Sequence, residues 1–238
     1  MKARKHAKRI IDAPRPQGAL RLNVRMRDMG LASRREADAL IESGKVYVNR
    51  KRAALGTPVV ESDTIEVRGK TKDLVYLAYH KARGLPTQGE PGEDSVVTRF
   101  AADGISPVGR LDKDSSGLLI LTNDGLATAK VLGDDIEKEY LVTTKEAIRA
   151  GIPAIFAKGM DTRAFGTLRP AKATLVNERK LRITLLEGKK HQVRVMLAEL
   201  GLTVSELVRT RVGGVLLGKL PKGQARELTV TERASLSL

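Results

Sequence analysis

The chain has 238 residues, with 43 Lys or Arg against 28 Asp or Glu, a net charge of +15 and 41% hydrophobic residues. This hydrophobic content is enough for a sizeable core and excludes a wholly disordered chain, and the length allows one or two domains. The absence of cysteine excludes disulfides, thiolate catalysis and cysteine-ligated metal sites. The three histidines lack metal-ligand spacing, so we expect no metal site.

The excess of positive charge predicts a polyanionic partner, with nucleic acid as the first candidate and an anionic membrane surface as the second. A membrane-surface protein needs a basic amphipathic helix with large apolar anchors, and this chain has no Trp and only 3% aromatic residues. No apolar run is long enough to span a bilayer, and the N-terminus lacks the apolar core of a signal peptide. We therefore expect a cytoplasmic protein that binds nucleic acid and no membrane.

Composition divides the chain into four segments. Residues 1–18 are basic and contain two prolines, which predicts a disordered tail, with an RNA-contacting arm as the alternative. Residues 19–68 predict a small α+β domain, residues 69–73 a linker, and residues 74–238 a larger domain in which strands and helices alternate. We therefore predict an α+β protein with two folded domains.

The small domain has clear signals for the ends of its helices. A helical pattern over residues 20–29 ends at Gly30. Ser33 and Glu36 form a capping-box pattern that predicts the start of a second helix, and Gly44 has the spacing expected just after its end. Short apolar runs predict strands at residues 46–48, 59–60 and 65–67.

Basic residues crowd the small domain and predict a phosphate-binding surface. Arg34 and Arg35 fall in the first turn of the second helix, where the helix dipole disfavours cations. This local cost suggests an anionic partner, and a solvated face neutralised by nearby acids is the alternative. The candidate RNA contacts of this domain are Arg21, Arg34, Arg35, Lys45 and Arg50.

The densest group of functional residue types is the stretch GRLDKDSSGLLILTNDG, residues 109–125. A polar loop precedes an apolar strand at residues 118–121, and loops at strand ends often carry functional sites. The charged members of the loop are Arg110, Asp112, Lys113 and Asp114. Neighbouring cations favour the ionised form of a carboxylate. From the residues alone, a surface loop with local ion pairs remains the alternative to a catalytic site.

This stretch resembles the catalytic motif of the pseudouridine synthases, in the branch that modifies ribosomal RNA and carries a G-R-L-D signature. KEYLV at residues 138–142 resembles the K-x-Y-x-V strand of that branch, and EGKKHQVR at residues 187–194 resembles its E-G-x-x-x-Q-V-R segment. RTRVG at residues 209–213 resembles its C-terminal end, and residues 21–51 are similar to the S4-type RNA-binding domain. The resemblance covers residues 20–232.

The resemblance implies a catalytic domain with a mixed, mainly antiparallel sheet, flanking helices and a central cleft. It implies that Asp112 attacks the target uridine, that Tyr140 packs against the flipped base, and that Arg194 pairs with the aspartate. Isomerisation of uridine to pseudouridine consumes no oxidant or energy, so we expect no cofactor. The candidate RNA contacts of the catalytic domain are Arg110, Lys113, Lys189, His191, Gln192, Arg209 and Arg211.

Several residues allow a second interpretation or depart from the family pattern. Tyr140 alone is compatible with an ordinary core aromatic, and His191 with a satisfied polar contact, because the chemistry requires no imidazole. Ala82 replaces the proline of the family's N-K-P-x-G segment, and Val195 stands where a second arginine is common. We expect activity to be intact because the three implied catalytic residues are present.

The runs GRLDKDSSGL and EKEYLV look closest to the members that modify large-subunit (23S) ribosomal RNA. We therefore expect a uridine of that RNA as the target, as naked RNA or in a pre-ribosomal particle, and a monomeric enzyme. Small-subunit ribosomal RNA and a tRNA anticodon loop are the alternative substrates. A non-catalytic RNA-binding or ribosome-assembly factor is the alternative function, and the implied catalytic trio favours the enzyme.

Overall fold

The computed structural model describes residues 18–69, 73–133 and 135–238. The predicted N-terminal tail, apart from Gly18, lies outside the described residues, and so does most of the predicted linker. The chain divides into two compact units, one formed mainly by the residues up to Asp73 and the other mainly by the residues from Leu74 onwards.

The N-terminal unit is a small α+β fold. Its elements in chain order are β1 (Leu20–Arg21), α1 (Leu22–Asp28), α2 (Arg34–Glu42), β2 (Val46–Val48), β3 (Lys51–Arg52), β4 (Pro58–Val59) and β5 (Ile65–Val67). Strands β3, β2 and β5 form an antiparallel sheet in that order, and β1 pairs with β4. The two helices bury Leu22, Met26, Ala37 and Ile41 in the core of this unit.

The capping box predicted for α2 is confirmed. The Ser33 hydroxyl accepts a hydrogen bond from the Glu36 N–H at 3.4 Å, and a carboxylate oxygen of Glu36 accepts one from the Ser33 N–H at 3.0 Å. Helix α1 begins two residues later than predicted because Leu20 and Arg21 pair with β4 instead. Local capping chemistry thus determined one helix start, whereas pairing with a distant strand determined the other.

The C-terminal unit carries the larger sheet. Its elements in chain order are β6 (Tyr76–Lys81), α3 (Val96–Phe100), β7 (Ser106–Val108), β8 (Ser116–Thr122), α4 (Ala127–Val131), β9 (Lys138–Thr144), α5 (Ile152–Lys158), β10 (Met160–Thr162), β11 (Gly166–Leu168), β12 (Lys172–Asn177), β13 (Lys180–Leu185), α6 (Gln192–Glu199), β14 (Val204–Val212), β15 (Val215–Leu216), β16 (Ala225–Glu227) and α7 (Val230–Ala234).

The larger sheet runs in the order β12-β13-β9-β14-β8-β6-β16, with β15 paired to β14 and β7 paired to β8. Its pairs are antiparallel except that of β14 and β8, which is parallel. The predicted mixed, mainly antiparallel sheet is therefore confirmed. One apolar cluster packs α5 and α6 against β9 and β13, and two others pack around β6 and β8. No helix in the described part of the chain has the length and apolar character needed to cross a bilayer.

The parallel pair sets the position of the G-R-L-D loop. All seven residues of β8 are buried, and Gly117 lies opposite Arg209 of β14. Gly117 has a φ of 112°, and a Cβ atom there would stand 2.3 Å from the backbone oxygen of Arg209. Only glycine allows this close approach, which brings the loop that precedes β8 next to Arg209.

Candidate active site

A cleft of about 720 Å³ opens in the C-terminal unit. Its walls are formed by residues 86–90, residues 109–113 and residues 187–193, together with Tyr140 of β9 and Arg209 of β14. This volume lies in the range of sites that hold small molecules. The cleft therefore joins residues from the four segments of this unit that carry the family resemblance.

Asp112 lies on the wall formed by the loop between β7 and β8, with 28% of its side chain exposed. The buried Thr87 hydroxyl donates to the Leu111 carbonyl at 2.7 Å and accepts from the Leu111 N–H at 3.0 Å. The Ser115 N–H donates to the Asp112 carbonyl at 3.1 Å. These bonds fix the backbone on both sides of the carboxylate.

A buried ammonium group supports the same loop from the protein interior. Lys81, at the end of β6, has no exposed surface, and its Nζ donates to the carbonyls of Leu85 at 2.6 Å, Ala82 at 3.0 Å and Lys113 at 3.4 Å. Burial lowers the pKa of Lys81 to about 8, although the negative charges of Asp112 and Asp114 act in the opposite direction. Lys81 thus ties the loop to β6 and places a buried cation near Asp112.

Replacing Lys81 with Met is expected to remove a pH dependence of stability. The folded protein releases this proton near pH 8, whereas an unfolded chain holds it up to about pH 10.4. Between these values the unfolded chain binds more protons, so the group makes the free energy of unfolding rise with pH. In urea unfolding experiments, the free energy of unfolding of the wild type should rise across this pH window by up to about 3 kcal/mol relative to that of Lys81→Met. If the free energies of unfolding of the two proteins changed with pH in parallel, the lowered pKa of Lys81 would be contradicted. The control is Lys158→Met, at an exposed position of α5.

The start of helix α6 supplies the other contacts to the loop, and they differ from those expected. Arg194 was expected to pair with Asp112, but its guanidinium donates to the Asp114 carbonyl at 3.1 Å and to the Ser115 hydroxyl at 3.3 Å. The group that contacts the carboxylate is His191, whose Nδ1 lies 3.2 Å from Oδ2 of Asp112. Arg194 therefore holds the loop backbone, and the imidazole holds the carboxylate.

Tyr140 is half-buried and lines the cleft from β9. It lies directly opposite Arg209 of β14, so the two side chains are neighbours on one face of the sheet. Its ring also packs against two of the apolar clusters of this unit. The tyrosine therefore combines a core contact with an edge that faces the cleft.

The predicted RNA contacts of this unit divide into two groups. Those that line the cleft are Arg110, Lys113, Lys189, His191, Gln192 and Arg209. Arg211 lies outside the cleft wall, and its guanidinium donates to Glu137 and to the Gly213 carbonyl, both at 2.9 Å. This internal pairing gives Arg211 a structural role, and its contact with RNA stays a prediction.

Gln192 and Arg209 line the cleft but are buried. The Gln192 amide donates to Glu187 at 2.7 Å and accepts from the Lys189 N–H at 3.0 Å, so it holds the segment that precedes α6. The Arg209 Nε donates to the Leu118 carbonyl at 2.7 Å. Both side chains therefore use polar atoms inside the protein, and their contact with RNA stays a prediction.

Three supporting residues were not predicted from the sequence. Thr87 carries no motif of its own, and its contact joins residues 24 positions apart. Lys81 stands at the end of an apolar strand, at the lysine of the family's N-K-P-x-G segment, and this match was its only local signal. Lys138 begins β9, is buried, and donates to the carbonyls of Gly133 and Leu186 at 3.2 Å.

The basic residues predicted to contact RNA in the N-terminal unit are all exposed. None of them forms an ion pair with a residue in the described ranges. They are Arg21, Arg34, Arg35, Lys45 and Arg50. By contrast, Arg27 and Arg68 of the same unit pair with Asp28 and Glu66. The first group is therefore available to phosphates, and the second is already neutralised.

Comparisons with known proteins identify both units. The family model for RNA pseudouridylate synthases matches residues 75–199, and the S4 domain model matches residues 20–65. The chain is 40% identical to the dual-specificity RNA pseudouridine synthase RluF of Salmonella typhi, over 91% of this chain and 78% of that protein. It is 38% identical to the ribosomal large subunit pseudouridine synthase B of Bacillus subtilis, over 85% of this chain and 89% of that protein.

A solved structure agrees with these relationships. The crystal structure of a pseudouridylate synthase superposes with a TM-score of 0.69 and 28% identity, covering 91% of this chain and 99% of that one. The mixed, mainly antiparallel sheet matches what the sequence resemblance implied. The chain belongs to the RNA pseudouridine synthase family and is an enzyme with an S4 domain before its catalytic domain.

Proposed function

We propose that this enzyme isomerises one uridine of large-subunit ribosomal RNA, with Asp112 as its catalytic carboxylate. The observation that carries the proposal is the position of Asp112, a partly exposed carboxylate on a loop held by internal bonds, in the wall of the cleft. The reaction breaks the bond between N1 and the sugar C1′, turns the base, and joins C5 to C1′. All atoms of the nucleotide are retained, so the carboxylate can work without an oxidant or an energy source.

The target base must leave its stack to reach Asp112, which costs roughly a few kcal/mol. Tyr140 offers the base an aromatic face with a polar end. Cations at the rim of the cleft and on the N-terminal unit offset the cost by binding phosphates, which position an RNA without reading its sequence. We infer that the S4 domain binds phosphates of the RNA and that the cleft recognises the target base.

The names of the two relatives support the choice of substrate. The Bacillus relative is named for the large ribosomal subunit, and the Salmonella relative for a dual specificity. A second RNA is therefore part of the proposal, and a tRNA anticodon loop is our candidate because its unpaired bases are accessible. We propose that the enzyme acts as a monomer in the cytoplasm, since one chain carries the whole cleft.

The test is to map pseudouridines formed by the purified enzyme on separate transcripts of large-subunit ribosomal RNA, small-subunit ribosomal RNA and tRNA. The same sites are mapped in cells with and without the gene. We expect one uridine of large-subunit RNA to be modified in both settings. Modification confined to small-subunit RNA or tRNA would overturn the substrate assignment. No product on any transcript and no lost site in cells would favour an RNA-binding assembly factor.

The S4 domain carries a separate prediction about salt dependence. Replacing Arg34 and Arg35 together with Ala should weaken RNA binding and lower the slope of log K against log salt by about 1.5, because each phosphate contact releases counterions. The matched control is Arg27→Ala with Arg68→Ala, which removes the same charge from arginines already paired with acids. Fluorescence titrations at several salt concentrations measure the RNA affinity and its salt dependence. Equal slopes in the two double variants would contradict the assignment of Arg34 and Arg35 as phosphate contacts.

A further inference from the structure

His191 has a strained backbone conformation at the edge of the cleft. Its φ of 58° and ψ of 20° lie in the left-handed region, and its side chain makes no capping hydrogen bond to helix α6, which it precedes. Residues other than glycine are uncommon in this region, and the conformation is strained. Strain of this kind persists where the surroundings enforce it, and it is often found at functional sites.

The conformation is accompanied by a specific contact. The His191 Nδ1 lies 3.2 Å from Oδ2 of Asp112, and 45% of the side chain remains exposed. A neutral imidazole protonated on Nδ1 donates one hydrogen bond to the carboxylate and keeps an unprotonated Nε2. The helix gains nothing from this side chain, so the local benefit of the conformation is the contact with Asp112.

We propose that His191 is a positioning residue for Asp112 and that its protonation state controls the reactivity of the carboxylate. This inference rests on the proposed function, because it takes Asp112 to be the catalytic group. A neutral imidazole holds Oδ2 and leaves Oδ1 for the substrate. A protonated imidazole forms a stronger, charge-assisted bond that withdraws electron density from the carboxylate. Turnover therefore rises with pH as the imidazole loses its proton.

The neighbouring groups leave the acid side of the pH profile to the imidazole. The charged groups on its own segment and helix are Glu187, Lys189, Lys190 and Arg194. The charged groups on the other walls of the cleft, together with the phenol of Tyr140, are Glu90, Arg110, Asp112, Lys113, Lys138 and Arg209. Imidazole is the side chain that ordinarily changes charge between about pH 5 and 8, whereas these other types titrate outside that range. Lys81, whose pKa is about 8, affects the alkaline side only.

The experiment measures single-turnover rates with saturating enzyme between about pH 5 and 8. His191→Gly and His191→Asn both tolerate the left-handed conformation, and neither side chain titrates. We expect the wild-type rate to rise through this range and the inflection to disappear in both variants. At the upper end, His191→Gly should be slower by about 10-fold or more, whereas His191→Asn, whose amide can still donate to Oδ2, should stay within about fivefold.

A matched control separates backbone strain from the contact. Ser237 has the same φ of 58° and lies exposed near the C-terminus, so Ser237→Gly should leave the rate and its pH profile unchanged. Thermal unfolding checks the fold of each variant, and His191→Asn serves alone if the glycine variant does not fold. Asp112→Asn is assayed alongside on the same RNA.

The outcomes are distinct. A wild-type pH profile in His191→Gly would overturn the inference. If His191→Gly does not fold, a wild-type pH profile in His191→Asn would overturn it. Weaker RNA binding with an unchanged single-turnover rate would also overturn it, since His191 would then be a phosphate contact. If Asp112→Asn is inactive while the His191 variants behave as wild type, this inference alone fails. If Asp112→Asn remains active, the proposed function of the site fails with it.

Discussion

Replacing Asp112 with Asn is expected to lower the rate of pseudouridine formation by about 10⁴-fold, to background. An amide has nearly the shape of the carboxylate but cannot ionise, so it can serve neither as nucleophile nor as base. It can still accept a hydrogen bond from His191, so the loop should keep its conformation. We therefore expect the dissociation constant for RNA and the unfolding temperature to stay close to those of the wild type.

The control for this substitution is Asp114→Asn, two residues along the same loop. The Asp114 side chain is exposed and lies outside the cleft wall, and the contact from Arg194 goes to its backbone carbonyl. The same charge is removed a short distance away, and activity should change by no more than about threefold. Measurable turnover by Asp112→Asn, or equal losses in the two variants, would remove Asp112 from the catalytic role.

Replacing Gly117 with Ala is expected to destabilise the enzyme by about 3 to 5 kcal/mol or to prevent folding. The new methyl group would stand 2.3 Å from the oxygen and 2.5 Å from the nitrogen of the Arg209 backbone. Neither atom can turn away as a side chain would, and a φ of 112° is itself unfavourable for alanine. Overpacking and backbone strain therefore add together.

Gly151→Ala is the matched control because a Cβ atom there meets nothing within 4 Å. Its unfolding free energy should stay within about 0.5 kcal/mol of the wild type. Urea unfolding of the two variants gives the comparison directly. Similar, small effects at both positions would show that β8 and β14 can separate without cost and would contradict the close approach described here.

Local patterns in the sequence predicted local structure well. The capping box at Ser33 and the apolar strand that follows the G-R-L-D loop are both present. Each depends on residues adjacent in the chain, where hydrogen bonding and hydrophobic periodicity act directly. The apolar run from Leu74 to Tyr79 predicts a strand, and the structure has it at Tyr76–Lys81 because pairing with β8 and β16 sets its ends.

The contacts that hold the site were beyond what the sequence could show. The partners of Arg194 are the Asp114 carbonyl and the Ser115 hydroxyl, 80 and 79 positions away, whereas the sequence resemblance suggested Asp112. Histidine is among the residues enriched in left-handed backbone, but no neighbouring residue in the sequence indicated this conformation at His191 or its contact with Asp112. Contacts of this type follow from the sheet order, which the residues do not specify individually.

Strand β14 has a consequence for how the enzyme is made. It lies between β9 and β8, so it alone joins β12, β13 and β9 to β8, β6 and β16 within the described sheet. Tyr140 belongs to the first set of strands and the Asp112 loop to the second, yet β14 begins only at Val204. During synthesis, a ribosome must release more than four-fifths of the chain before the two sides of the cleft can meet. Such long-range closure is slow, so a nascent enzyme would remain unable to act on the RNA around it until translation is nearly finished.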